Sequence, residues 1–149
     1  MTDYEVVDIL YAEDSQTDAE LALRGLRKIN LGNNLLWVKD GQEALNILLN
    51  SGPRATHPRS HPRLVLLDLK MPKVDGLEVL RVIRSTEALR AIPVVLLTSS
   101  AEEIDVVNSY NLGVNSYVVK PIDSASFSSL IAQLGYYWMV LNQVPRRPN

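Results

Sequence analysis

Short apolar runs alternate with longer stretches in which apolar residues return every three or four positions. Val6 to Ala12 is mostly apolar and stops at Glu13–Asp14, which predicts a strand and then a loop. Ser15 is placed to cap a helix with Asp18 in its first turn, and Ala19, Ala22, Leu23, Leu26 and Ile29 recur at helical spacing. Asn30 to Asn34, with Gly32 at its centre, reads as a turn before a second strand, Leu35 to Val38. Ala44, Leu45, Leu48 and Leu49 mark the inner face of a second helix. Ser51 to Arg63 is loop-like, with its prolines, glycine and arginines. Leu64 to Leu67 is uniformly apolar, as a strand buried on both faces must be. Leu77, Leu80, Ile83 and Arg84 place a third helix after Gly76, and Pro93 opens a fourth strand, VVLLT. Ser100 and Glu103 have capping-box spacing ahead of a fourth helix, with Ile104 and Val107 expected inward. Ser116 to Val119 is a fifth strand. A last helix starts at Asp123 or Ser124 and turns Phe127, Leu130, Ile131, Leu134 and Trp138 toward the core.

Strict alternation of five strands and five helices predicts an α/β fold, a doubly wound five-stranded parallel sheet with right-handed crossovers. The 149 residues fit one domain, with its core over about 6–141 and a tail over 142–149. Bulk chemistry narrows the function little. The net charge of −2 gives no support for a nucleic-acid-binding surface, so no such partner is expected. No cysteine is present, which excludes disulfide and thiolate chemistry and suits a reducing cytosol. The first residues lack the basic-then-apolar pattern of a secretory signal, so a cytoplasmic location is expected. Residues 124–145 are uncharged and long enough to span a bilayer, but their serines, glutamines and asparagine are too many for a lone helix in lipid.

In open α/β sheets ligands bind beyond the carboxyl ends of the strands. The residues leaving those ends are Glu13 and Asp14, then Asp68, then Thr98 and Ser99, then Lys120 and Pro121. With the first, third and fourth strands adjacent, three carboxylates, a hydroxyl and an ammonium share one crevice. Carboxylates that close repel unless a cation sits among them, and a hard divalent ion such as Mg2+ suits oxygen ligands. Such a site suits phosphoryl transfer. Asp68 can act as the nucleophile, Lys120 can neutralise charge on the transferred group, and Thr98 can hydrogen-bond a phosphoryl oxygen. Singly, each residue has a plainer role: dipole complementation for Glu13–Asp14, turn formation for Asp68, strand propensity for Thr98, a solvated surface charge for Lys120. The ordered set carries the signal.

The motifs Glu13-Asp14-Ser15, LLDLKMPKVDG, VVLLTSS and SYVVKP resemble the receiver domain of two-component response regulators, the chemotaxis-type, flavodoxin-like fold. The resemblance runs from about Val6 to Leu141. It implies that Asp68 is the phosphoacceptor. It further implies that Glu13, Asp14, Asp68 and the backbone carbonyl of Lys70 bind Mg2+, and that Thr98 and Lys120 contact the phosphoryl group. It makes Tyr117 the aromatic switch that turns inward when Thr98 engages phosphate, and the Lys120–Pro121 peptide cis. It implies a partner histidine kinase and a receiver that catalyses its own phosphorylation and dephosphorylation, rather than a turnover enzyme. Lys70 and Ser100 flank the approach of a hydrolytic water and are expected to tune the lifetime of the acyl phosphate. No output domain is expected, so either an unidentified downstream protein reads the signal or the phosphoryl group is passed onward. The extended loop before the third strand and the segment GYYWMVLNQVP are similar to the response regulators paired with cyanobacterial phytochromes. That implies a light-regulated kinase and a homodimer.

The uncharged last helix supports an interface, through Tyr136, Tyr137, Trp138 and Leu141, over simple docking on its own domain. His57 and His61 sit four apart in a Pro-rich loop, which argues against a helical metal pair. A haloacid-dehalogenase-type phosphatase is the rival enzyme, but it needs a second acid where Lys70 stands. A nucleotide module needs a glycine-rich first loop, and AEDSQTD is acidic and lacks glycine. A phosphorylation-independent adaptor is the remaining alternative.

Overall fold

In the computed structural model the described residues are 6–52 and 61–143. Most of the loop around His57, and the tail from 144, lie outside them. The elements follow the expected alternation. They are β1 (Ile9–Ala12), α1 (Gln16–Lys28), β2 (Leu35–Val38), α2 (Gly41–Leu48), β3 (Leu64–Leu67) and α3 (Gly76–Ser85). After these come β4 (Val94–Thr98), α4 (Glu103–Asn111), β5 (Ser116–Val119) and α5 (Ser124–Tyr136), which runs into a π-helical turn, Tyr137–Leu141. All strand pairs are parallel, in the order β2-β1-β3-β4-β5.

Alternating side chains send each strand into two cores. Leu10, Ala12, Val65, Leu67, Val94 and Leu96 pack with Ala44, Leu48, Val79 and Ile83 of α2 and α3. Ile9, Tyr11, Leu64, Leu66, Val95 and Leu97 pack with Ala22, Leu26, Phe127 and Ile131 of α1 and α5. Both faces of β1, β3 and β4 are therefore dry, which their uniform apolar character requires.

Helices α1, α2, α3 and α5 start where short polar side chains cap them. Ser15 Oγ accepts from the Asp18 N–H, and carboxylates of Asp40, Asp75 and Asp123 accept from Glu43, Glu78 and Ser126. Gly76 opens α3 against the strand end it follows. A Cβ there would overlap the Asp68 carbonyl, so only glycine lets α3 begin that close. Arg84 ties together the segments that lead into β4 and β5. Its guanidinium donates to the carbonyls of Arg90, Ile92 and Gly113 and to Asn115 Oδ1, at 2.7–3.1 Å.

Several expectations are corrected. β1 begins at Ile9, with Val6 exposed. Leu49 lies past the end of α2 and is exposed. Ser100 does not cap α4; Glu102 precedes that helix without a side-chain cap. Ser100 Oγ instead donates to Asp105 Oδ2 at 2.5 Å, and Ser109 Oγ to the Asp105 carbonyl at 2.7 Å. The inner face of α4 therefore runs through Asp105 and Ser109, and Ile104 and Val107 are turned outward at 60% and 45% exposure.

Candidate functional site

The parallel register sets the site. Ala12 lies opposite Leu67 and Thr98 opposite Val119, so Glu13, Asp68 and Lys120 each follow a paired residue. The ladder continues one step further. The Glu13 N–H donates to the Val38 carbonyl, that of Asp68 to Ala12, and that of Lys120 to Thr98, at 2.8–3.0 Å. These backbones are thereby fixed before any side chain interacts.

Glu13 and Asp68 are buried at 1% and 8% exposure, while Asp14 is exposed. Oxygens of the three carboxylates lie within 4.8 Å of one another, a spacing and donor set that fit a hard divalent cation. Lys120 Nζ enters from the side, 2.5 Å from Glu13 Oε1 and 3.3 Å from Asp68 Oδ2. Burial lifts the Glu13 carboxyl, against the hydrogen bond from Lys120, to about 7. Burial alone would lower the Lys120 pKa. Its hydrogen bonds to Glu13 and Asp18 and the charge of Asp68 outweigh that and raise it, so the ammonium stays charged.

Thr98 is buried at the tip of β4, its hydroxyl accepting from the Ser100 N–H at 3.3 Å. Lys70 is exposed in the loop after Asp68. Tyr117 packs against the α2–α3 core, and its hydroxyl donates to the Ser100 carbonyl at 2.7 Å. The Tyr117 ring and the Thr98 loop are thus already joined. Among the described residues no peptide bond is cis, so the expected cis Lys120–Pro121 bond is trans. Trans is the lower-energy form of an X–Pro bond, by about 0.5–1 kcal/mol.

Three residues escaped the sequence reading. Asp18 Oδ2 lies 2.9 Å from Lys120 Nζ. The hydroxyl of Tyr11, on the same face of β1 as Glu13, is buried without a hydrogen bond of good geometry. Burial first, then the charges of Glu13, Asp18 and Asp68, keep that phenol protonated. Trp37 Nε1 donates to the Glu13 carbonyl at 2.7 Å, which puts an indole beside the acidic cluster.

A family model described as a response regulator receiver domain matches residues 9–132. The chain belongs to the response regulator receiver family. The receiver is 41% identical over 138 residues to the probable methanogenesis regulatory protein FilR2 of Methanothrix harundinacea, covering 92% of this chain and 86% of that one. It is 36% identical to response regulator Rcp1 of Synechocystis, over 92% of both chains. A solved structure of Rcp1 holds Mn2+ and superposes with a TM-score of 0.85, covering 95% of this chain and 99% of that one. The phosphorylated cyanobacterial phytochrome response regulator RcpA superposes with a TM-score of 0.87 at 33% identity, over 97% of this receiver and 100% of RcpA. These likenesses favour the receiver reading over a phosphatase.

At the surface, Tyr136, Tyr137 and Leu141 are exposed, as an interface requires, and Val140 with them. Trp138 is half-buried, packed in the α1–α5 core and edge-on to Tyr137 at 5.0 Å. Among the described residues no helix is long and apolar enough to cross a membrane.

Proposed function

We propose that this receiver takes a phosphoryl group on Asp68 from the phosphohistidine of a partner kinase. Asp68 Oδ forms the new P–O bond as the P–N bond breaks. The electron pair leaves with the imidazole nitrogen, which takes a proton from solvent. Glu13, Asp14, Asp68 and the Lys70 carbonyl would hold Mg2+, which would supply charge neutralisation. Lys120 neutralises one phosphoryl oxygen, Thr98 donates its hydroxyl to another, and water later returns the carboxylate. The observation that carries this reading is the charged Lys120 ammonium held between two buried carboxylates at the strand ends.

The likeness to the cyanobacterial phytochrome response regulator RcpA supports a phytochrome-type kinase as donor. Tyr117 couples the site to the α4–β5 face, where Ile104, Val107, Tyr110 and Val119 stand exposed for a downstream protein. The exposed tyrosines and leucine near the chain's end support a homodimer.

Incubation with Mg2+ and acetyl phosphate, followed by intact mass and light scattering, tests the core of this reading. One phosphoryl adduct is expected on the wild type and none on Asp68→Asn. Steady phosphate release without an adduct that trapping can capture would overturn it.

A further inference from the structure

The Lys120 ammonium has three hydrogens and meets three carboxylates. Two come from strand ends. The third, Asp18, comes from the first turn of α1 and lies closer to Nζ than Asp68 does, 2.9 against 3.3 Å. Its placement is built in. The Asp18 N–H is held by Ser15 Oγ at 3.2 Å, and the Ser15 N–H donates to Glu13 Oε2 at 3.1 Å. Glu13, the cap of α1 and Asp18 thus form one connected unit around the lysine.

A lone contact to Glu13 would leave the long lysine chain free to pivot, and a role in the helix dipole would not require Asp18 to touch Lys120 at all. The lysine side chain is only 10% exposed, so its ion pairs are little screened by solvent.

We propose that Asp18 is a positioning residue for phosphoryl transfer: with Glu13 it fixes the Lys120 ammonium so that its third hydrogen faces Asp68, where the phosphoryl oxygens arrive. This rests on Asp68 being the acceptor. Asp18 touches neither the phosphoryl group nor the cation, and acts through Lys120. Asparagine keeps an acceptor oxygen in the same place, whereas alanine removes it.

The test follows adduct formation by intact mass in wild type, Asp18→Ala and Asp18→Asn, with acetyl phosphate and saturating Mg2+. Trp37 fluorescence reports Mg2+ affinity in parallel. Asp18→Ala is expected to slow phosphoryl uptake about tenfold, and Asp18→Asn to restore most of the rate. Mg2+ affinity should move by no more than about threefold, as loss of one partly exposed charge allows. Equal rates in wild type and Asp18→Ala would overturn the proposal alone. So would equal changes in both variants, which would assign the effect to charge, or loss of Mg2+ binding in step with the rate. A wild type that binds Mg2+ yet never forms an adduct would overturn the acceptor reading and this proposal together.

Discussion

Glu13 makes the metal-free fold sensitive to pH in a definite direction. Its carboxyl lies near 7 in the fold against an ordinary 4.5, so the folded state binds a proton that the unfolded chain has released. The resulting stability is complete below about pH 4.5 and is lost as pH rises through about 7. At about 1.4 kcal/mol for each tenfold change in proton affinity, the loss amounts to ~3 kcal/mol. Glu13 is almost fully enclosed, so solvent screening does not erode this much. Lys120 is raised as well, so its contribution disappears only in strong alkali, outside this window. Urea unfolding in chelator at pH 5 and pH 8 gives the measurement, with Glu13→Gln as the reference for every other titrating group. Wild type should lose about 2.5 kcal/mol more than the variant over that range. Saturating Mg2+ should abolish the difference by displacing the proton, and apparent Mg2+ affinity should rise about tenfold from pH 6 to pH 8. Parallel pH slopes in wild type and Glu13→Gln would refute the reasoning.

Other changes have equally direct outcomes. Tyr11→Phe removes a buried hydroxyl that makes no hydrogen bond of good geometry and should raise stability by about 1 kcal/mol in urea, whereas a loss would show that its approach to Glu13 satisfies it. Gly76→Ala drives a Cβ into the Asp68 carbonyl and should cost about 2 kcal/mol while weakening Mg2+ binding seen by Trp37 fluorescence. Arg84→Met strips hydrogen bonds from the Ile92 carbonyl and Asn115, and should cost about 3 kcal/mol in thermal unfolding without changing Mg2+ affinity. Ser100→Ala frees the Asp105 carboxylate and the Glu102 N–H, and the half-life of the phosphorylated protein should change; equal half-lives would remove Ser100 from that role.

The strand tips were legible because a continuous apolar run must stop where the sheet does, and the polar residue there then faces the crevice. Glu13, Asp68, Thr98 and Lys120 could be placed that way, in order. Asp18 carried a plausible reading as a helix-start acid, and nothing in its spacing showed that α1 would aim it at a lysine 102 residues later. Tyr11 looked like core, and it is core, except for its hydroxyl. Helix α4 misled for a different reason. Ile104 and Val107 share a face that the pattern assigns inward, but the hydrogen bond from Ser100 to Asp105 and the buried Ser109 put the opposite face of the helix inside. Periodicity tells which residues share a face; polar contacts decided where that face points.

The in-register step from Ala12 to Glu13 and from Leu67 to Asp68 has an evolutionary consequence. The separation of those two backbones is the spacing of neighbouring strands, about 4.8 Å, and no loop or helix has to be tuned to obtain it. The α4 surface and the C-terminal turn can therefore diversify toward new partners without disturbing the chemistry. Inputs and outputs can be exchanged around a reaction centre that the sheet itself keeps in place.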